Sequence, residues 1–245
     1  MVQQLESETK SEIIYPESDG KPMADNTKQF RWIVLIKENL EILFADNPDV
    51  FIAGDLLWYP QEGSQGCQAP DAMVVFGRPK GDRSSYKQWK ESNIAPQVVF
   101  EILSPSNTVT EMSKKLLFYQ QHGVEEYYIY DPDGGEFVGM QRREGQLQDI
   151  QEVNGWVSPR LGIKFEIAEN TLKIYHPDGR QFLTPVELDQ LREQERLRAE
   201  QERTRAEQER TRADEAAARV KLLEARLRSL GIDPENGSPE TEFLR

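Results

Sequence analysis

The sequence predicts an α/β fold: a mixed β-sheet core flanked by helices, followed by a long C-terminal helix with coiled-coil character. Three observations carry this expectation. A strand, helix, strand pattern runs from Val98 to Asp131. Its strands are apolar at consecutive positions, as in sheets covered on both faces. From Glu193 to Arg212 the chain is almost entirely Glu, Gln, Arg, Ala and Thr, which cannot build a globular core. The organisation expected is an extended arm over 1–23, a globular domain over 24–186, a charged helix or coiled coil over 187–231 and a disordered tail over 232–245.

Taken in order, the first 23 residues are polar, with Pro16, Gly20 and Pro22. Asp25 and Asn26 then offer helix N-caps, and Phe30, Ile33, Ile36, Lys37, Leu40 and Leu43 or Phe44 recur at helical spacing. Val50 to Tyr59 is rich in β-branched and aromatic residues, is interrupted by Gly54, and reads as a strand or hairpin arm. Pro60 to Pro70 is a loop by its Gly, Ser and Gln content. Asp71 to Phe76, Val98 to Leu103 and Glu126 to Asp131 read as strands. Between the last two, Thr108 and Glu111 fit a capping box and Gly123 fits a C-terminal cap. A crossover of this length makes 98–103 and 126–131 parallel neighbours. Phe137 to Leu183, punctuated by Asp133-Gly134-Gly135, Asn154-Gly155 and Asp178-Gly179, reads as peripheral hairpins.

After Thr184-Pro185 a long helix begins and contains a literal repeat, Ala199-Glu-Gln-Glu-Arg-Thr-Arg followed by Ala206-Glu-Gln-Glu-Arg-Thr-Arg. Its first part is charge-laced, with Glu202 and Glu209 at positions a coiled coil would fill with apolar residues. Ala213, Ala216, Val220, Leu223, Leu227 and Leu230 then fall at a/d spacing before Gly231 and Pro234 stop the helix. A homo-oligomer through residues 213–230 is expected.

The formal net charge is −13. Residues 1–186 hold 18 basic and 28 acidic residues, so −10 of that charge sits on the globular part. This argues against a nucleic-acid coat protein, whose affinity rests on many Lys and Arg contacts to phosphate, but not against an enzyme using one local patch. The notable basic cluster is Arg78, Lys80, Arg83, Lys87 and Lys90, with Asp82 the one acid among them. Cys67 is the only cysteine, which excludes a disulfide framework and a cysteine-rich zinc site. With no apolar run of membrane-spanning length and no signal-peptide pattern at the N-terminus, a cytoplasmic location is expected, without membrane partners.

Chemistry is carried by three segments: Pro70-Asp71-Ala-Met-Val-Val-Phe76, Val98-Val-Phe-Glu101-Ile-Leu-Ser-Pro-Ser106, and Lys114-Lys115 ahead of His122-Gly123-Val124. Asp71 and Glu101 enter strands that otherwise read as core. Burying a carboxylate is costly unless a cation or hydrogen bonds replace its water. Two such acids imply positive charge between them, and a divalent cation is the natural candidate. Singly, each has a plainer reading: Asp71 as a turn former after proline, Glu101 as half of a buried ion pair, and the lysines as solvated helix charge. His122 fits a helix C-terminal cap. With only His122 and His176, and no glycine-flanked serine, a Ser-His-Asp hydrolase is not supported, and no phosphate-cradling glycine loop is present.

The ordered set Pro70-Asp71, Glu101-Ile-Leu-Ser-Pro-Ser106, Lys115-Leu-Leu-Phe-Tyr119 and Gly123-Val-Glu-Glu-Tyr-Tyr-Ile-Tyr-Asp-Pro132 resembles the Uma2 family of restriction-endonuclease-like proteins, in the PD-(D/E)XK nuclease superfamily. The resemblance covers roughly 10–185. It implies a restriction-endonuclease-like core and metal-dependent hydrolysis of phosphodiester bonds in DNA. It places Asp71, Glu101 and Lys115 in catalysis, and Asp71, Glu101 and the Ile102 carbonyl on the metal. Oxygen ligands suit Mg²⁺ or Mn²⁺, which would polarise a phosphoryl oxygen and acidify a water.

The superfamily's usual lysine lies two residues after the second carboxylate, where this chain has Leu103, so the lysine must come from elsewhere. The family motif matches Lys115, and a helical wheel puts Lys115 beside Met112, Leu116 and Tyr119 with Lys114 roughly opposite. Asp55 is a further candidate metal ligand, ahead of Glu38 or Glu41 on the first helix. Arg78, Lys80, Arg83, Lys87 and Lys90 are the candidate phosphate contacts. A different class of function is a catalytically silent nuclease-fold scaffold that recruits partners through its C-terminal coiled coil.

Overall fold

The computed structural model describes residues 13–18, 20 and 22–230. The tail expected over 232–245, most of the arm expected over 1–23, and the Gly231 and Pro234 stop signals lie outside the described residues. The chain divides into two compact units, one ending at Val186 and the other beginning at Glu187.

In the first unit, helix α1 (Thr27–Leu43) starts at Asn26, whose side chain accepts hydrogen bonds from the backbone N–H groups of Lys28 and Gln29. Ile33, Ile36 and Leu40, at helical spacing, are buried. Strands β1 (Val50–Ala53), β2 (Trp58–Tyr59), β3 (Ala72–Phe76), β4 (Tyr86–Lys87) and β5 (Val98–Ile102) follow. Helix α2 (Val109–Gln121) then leads to β6 (Glu126–Asp131), β7 (Glu136–Arg143), β8 (Gln146–Asp149), β9 (Lys164–Ala168) and β10 (Thr171–Tyr175). The main sheet has the order β1-β3-β5-β6-β7-β8. Its one parallel pair is β5 with β6, the two strands that α2 connects. Thr108 caps α2 through the Glu111 N–H, and Gly123 adopts φ 90° just beyond its end.

Both faces of the sheet are covered. On one lie Ala72, Val74, Val98, Phe100 and Ile102 with Ile33, Ile36 and Leu40 of α1. The other carries Met73, Val75 and Val99 with Tyr119 of α2 and Val124. This is why β3 is apolar throughout and β5 at every position except Glu101.

Two expectations need correction. The segment read as one strand or hairpin arm over Val50 to Tyr59 splits: β1 joins the main sheet beside β3, while β2 pairs in parallel with β4. Nor is 137–183 merely peripheral. Strand β7 pairs with β6 along its length, and Phe137, Ile150, Leu161, Ile163, Phe165, Leu172 and Ile174 are buried in the α1-side core. The β9–β10 hairpin brings Phe165 against Tyr128 and Phe137, with ring centroids 4.6 and 4.8 Å apart. Alternation along these short strands buries one side chain in two, a weaker signal than a continuous apolar run.

The second unit, from Glu187, continues helix α3 (Pro185–Ser229), in which no residue is buried. Arg196 pairs with Glu193 (2.8 Å) and Arg205 with Glu209 (3.1 Å), the local pairing expected of a charge-laced helix. Val220, Leu223, Leu227 and Leu230 are exposed. No helix among the described residues is long and apolar enough to cross a membrane.

Candidate active site

The site forms where β3 begins and β5 ends. These strands are antiparallel, with Ala72 opposite Phe100 and Met73 opposite Val99. Extending that register by one residue sets Asp71 opposite Glu101. Alternation turns both toward the face that carries Met73, Val99 and α2. Directly opposed side chains on antiparallel strands have Cβ atoms about 5 Å apart, and like charges so placed repel. Asp71 is 8% exposed and Glu101 2%.

Helix α2 supplies the cation. Lys115 Nζ donates to Glu101 Oε2 at 2.6 Å, and one turn later the Tyr119 hydroxyl donates to Oε1 at 2.5 Å. Lys114 is exposed on the opposite side of the helix. Asp71 Oδ2 accepts from the backbone N–H of Ile102 at 2.6 Å. Burial is the largest influence on Asp71 and, with the facing Glu101, holds its carboxyl well above the ordinary range, against Lys115 and the Ile102 N–H. Burial also raises Glu101, outweighing Lys115 and Tyr119. For Lys115 burial acts against the ammonium, but Glu101 and Asp71 together keep its pKa above the usual value. The Tyr127 hydroxyl, under α2, is buried without a hydrogen-bond partner.

These groups open into a pocket of about 410 Å³ lined by Asp25, Gln29, Asp55, Asp71, Glu101, Glu111 and Lys115, among others. Five of the lining side chains are acids and one is a lysine. Two opposed carboxyl groups with one ammonium leave one acid without a buried counter-charge, and the raised pKa of Asp71 follows from its burial in that state. That uncompensated acid, together with hard oxygen donors, fits a divalent cation such as Mg²⁺ or Mn²⁺. Asp71, Glu101 and the Ile102 carbonyl are the groups that would hold it. No set of three or more His, Cys, Asp and Glu side chains among the described residues converges as a ready-made metal cluster. Asp55, in the left-handed region at φ 48°, lines the same pocket and adds to the field on Asp71 without completing such a cluster.

The structure does not bring the other candidates to this pocket. Lys37 pairs with Glu38 at 3.0 Å and lies 3.9 Å from Glu41, and neither acid lines the pocket. Arg78 and Lys80 lie just beyond the far end of β3, roughly 20 Å of extended chain from Asp71. Arg78 and Arg83 are tied to Glu91 at 2.8 and 2.7 Å, and Arg83 also lies over the Phe51 ring. Lys80 donates to the carbonyls of Phe44 and Ala45 past the end of α1, and Lys87 sits 5.5 Å from the Tyr15 ring centroid. Four of these five candidate phosphate contacts therefore also have partners inside the fold, the Lys87 contact being only with an aromatic ring. Charge counting along the sequence misses Glu91, whose single carboxylate is shared by two of them. His122 is the C-cap residue of α2, but burial against Trp58 and Phe118 lowers its pKa, so it is a packed neutral imidazole rather than a charged cap.

Sequence reasoning missed Gln29 and assigned no role to Tyr119. Gln29 lies on the same helical stripe as Ile33, Ile36 and Leu40. A polar residue in a buried apolar row was the available signal. Asp25, read only as a cap, accepts from the Ser104 hydroxyl at 2.6 Å and from the Ser106 hydroxyl.

Set beside known proteins, residues 3–175 match the model of the Uma2 family, described as "Putative restriction endonuclease". No curated protein matches. Among solved structures, "a putative nuclease belonging to DUF820" from Anabaena variabilis ATCC 29413 is 19% identical, covering 57% of this chain and 74% of that one, with a TM-score of 0.42.

Proposed function

Because the chain belongs to the Uma2 family, we propose that it is a metal-dependent endonuclease that hydrolyses phosphodiester bonds of DNA, with Mg²⁺ or Mn²⁺ held by Asp71, Glu101 and the Ile102 carbonyl. One observation carries this: two buried carboxylates from different strands face one another beside a lysine from a third element, in a pocket open to solvent. Such an arrangement is electrostatically unfavourable as packing and useful as a cation site. The cation would polarise a phosphoryl oxygen and lower the pKa of a water. Lys115, held by Glu101 next to Asp71, supplies a fixed positive charge for the negative charge that develops at phosphorus. It replaces the strand lysine that this chain lacks at Leu103. Tyr119 holds the second oxygen of Glu101, so its carboxylate cannot rotate away. Asp55 is the outer acid of the pocket, available to a cation-bound water. Lys87 and Lys90 are the members of the basic segment we assign to phosphate contacts. Residues 213–230, with Val220, Leu223, Leu227 and Leu230 exposed at heptad spacing, pair with a second copy.

The test is cleavage of mixed single- and double-stranded DNA with Mg²⁺ or Mn²⁺, wild type against Asp71→Ala and Glu101→Ala. Loss of cutting in both, with the fold intact, is expected; undiminished cutting by both rejects the assignment. A second reading, a silent nuclease fold that recruits partners through its terminal helix, is favoured by the Lys115–Glu101 pair, which already neutralises one acid without any metal. Calorimetric titration separates the two. Mn²⁺ binding that disappears in Glu101→Ala supports the enzyme, and no binding by the wild type supports the scaffold.

A further inference from the structure

Strand β3 begins at Ala72, so the edge of β5 that faces it runs out of backbone partners at Ile102. Both backbone groups of Ile102 are instead engaged by side chains. Its N–H donates to Asp71 Oδ2, and one lone pair of its carbonyl accepts from Gln29 Nε2 at 2.7 Å, which leaves the other lone pair for a cation. Gln29 is only 6% exposed, and its Oε1 accepts from the Asp25 N–H at 2.8 Å. The Asp25 carboxylate in turn receives the hydroxyls of Ser104 and Ser106, from the loop that follows β5. The first turn of α1, the last residue of β5 and that loop are therefore one hydrogen-bonded wall of the pocket, and the Gln29 amide joins them.

We propose that Gln29 is a positioning residue for the acid pair: it fixes the end of β5 so that Asp71 and Glu101 are held in register on one cation. The inference rests on the reading of those two acids as a metal site. An amide meets the local demand. It must donate toward the Ile102 carbonyl and accept from the Asp25 N–H. A carboxylate would set oxygen against oxygen in a pocket already lined by five acids. An apolar side chain would leave a buried carbonyl and a backbone N–H without partners. Without the clamp, Ile102 can shift, and with it both the anchor of Asp71 and the direction of the adjoining Glu101. Outer partners of this kind typically change metal affinity 10- to 100-fold.

The experiment is Mn²⁺ titration of the full chain by calorimetry, comparing wild type, Glu101→Ala, Gln29→Met and Gln29→Ala, with thermal melting of each. Gln29→Met keeps the volume but neither hydrogen bond, and is expected to bind Mn²⁺ about 10- to 100-fold more weakly. In cleavage assays its half-saturating Mn²⁺ should rise by the same factor, while kcat at saturating Mn²⁺ stays within about threefold of wild type. A merely structural role would lower the melting temperature without moving the metal half-saturation. Should Gln29→Met fail to fold, Gln29→Ala leaves room for water to satisfy both backbone groups and should still bind weakly. Affinity within about twofold of wild type in whichever Gln29 variant folds overturns the proposal. If Glu101→Ala binds Mn²⁺ as wild type does, the acid pair is not the metal site and the proposal falls with it, a result distinct from the first.

Discussion

Replacing Lys115 with Met removes the ammonium from Glu101 while keeping most of the unbranched stem that packs beneath it. The carboxylate, 2% exposed, would lose a partner 2.6 Å away. Breaking a buried pair from one side typically costs about 3–5 kcal/mol. Here the loss is capped, because Glu101 can escape by taking up a proton. From an ordinary value of 4.5, neutralising it at pH 7 costs at most about 3.4 kcal/mol, at about 1.36 kcal/mol per pH unit. At pH 5 the same escape costs only about 0.7 kcal/mol. The sign follows from linkage. In the variant the folded pKa of Glu101 rises further above its unfolded value, so stability is complete below about pH 4.5 and is lost as pH rises toward the new folded pKa. In the wild type the pair survives until pH passes the raised pKa of Lys115. Urea unfolding followed by tryptophan fluorescence at pH 5, 6 and 7 should therefore give a deficit that grows with pH, from under about 1 to about 3 kcal/mol. A deficit that is independent of pH, or below about 1 kcal/mol at pH 7, would refute the buried pair.

Asp71→Asn should stabilise the fold at pH 7 by about 1–2 kcal/mol while abolishing metal-dependent cleavage. Burial and Glu101 raise the folded pKa of Asp71, so its contribution is intact below pH 3.8 and lost as pH rises, whereas Asn keeps an acceptor for the Ile102 N–H. A variant melting at or below the wild type at pH 7 would contradict this. Glu91→Ala removes the shared carboxylate from two guanidiniums, leaving Arg78 with Ser92 and Arg83 with the Pro79 and Gly81 carbonyls, and should cost about 2–3 kcal/mol in urea unfolding. Although burial opposes its ionisation, Arg83 and Arg78 hold Glu91 below 4.5, so the difference should shrink as pH falls through the folded pKa, and persistence in acid would count against the ion pairs. Leu223→Glu with Leu227→Glu should convert an oligomer to a monomer in light scattering after gel filtration, leaving cleavage per chain within about threefold of wild type. An unchanged mass would remove the helix from the assembly.

Much of the arrangement was legible because it depends on local chemistry. Thr108 and Gly123 bound α2 for reasons of capping and backbone freedom, and the crossover they delimit makes β5 and β6 parallel. The family motif matches Lys115 rather than Lys114, the angle between successive helical residues agrees with it, and the contact with Glu101 lies on that side. The tie between the basic segment and Glu91 was not legible because the two arginines lie 8 and 13 residues before it, a spacing that neither alternation nor helical periodicity marks. The 137–183 region was underrated because each strand there is short and buries one side chain in two.

What the sequence determined by itself is the kind of groups present: two acids entering apolar segments, a helix beside them, and a charged repeat unable to form a core. These follow from periodicity and from the free energy of burying charge, which any stretch of chain carries with it. Which groups meet was decided by the tertiary structure. The register of β3 on β5 sets Asp71 opposite Glu101, and the gap that the register leaves beside Ile102 is filled by Gln29 from another element. Pairing across 31 or 73 residues is fixed by the whole core packing at once, so no local stretch of sequence can specify it.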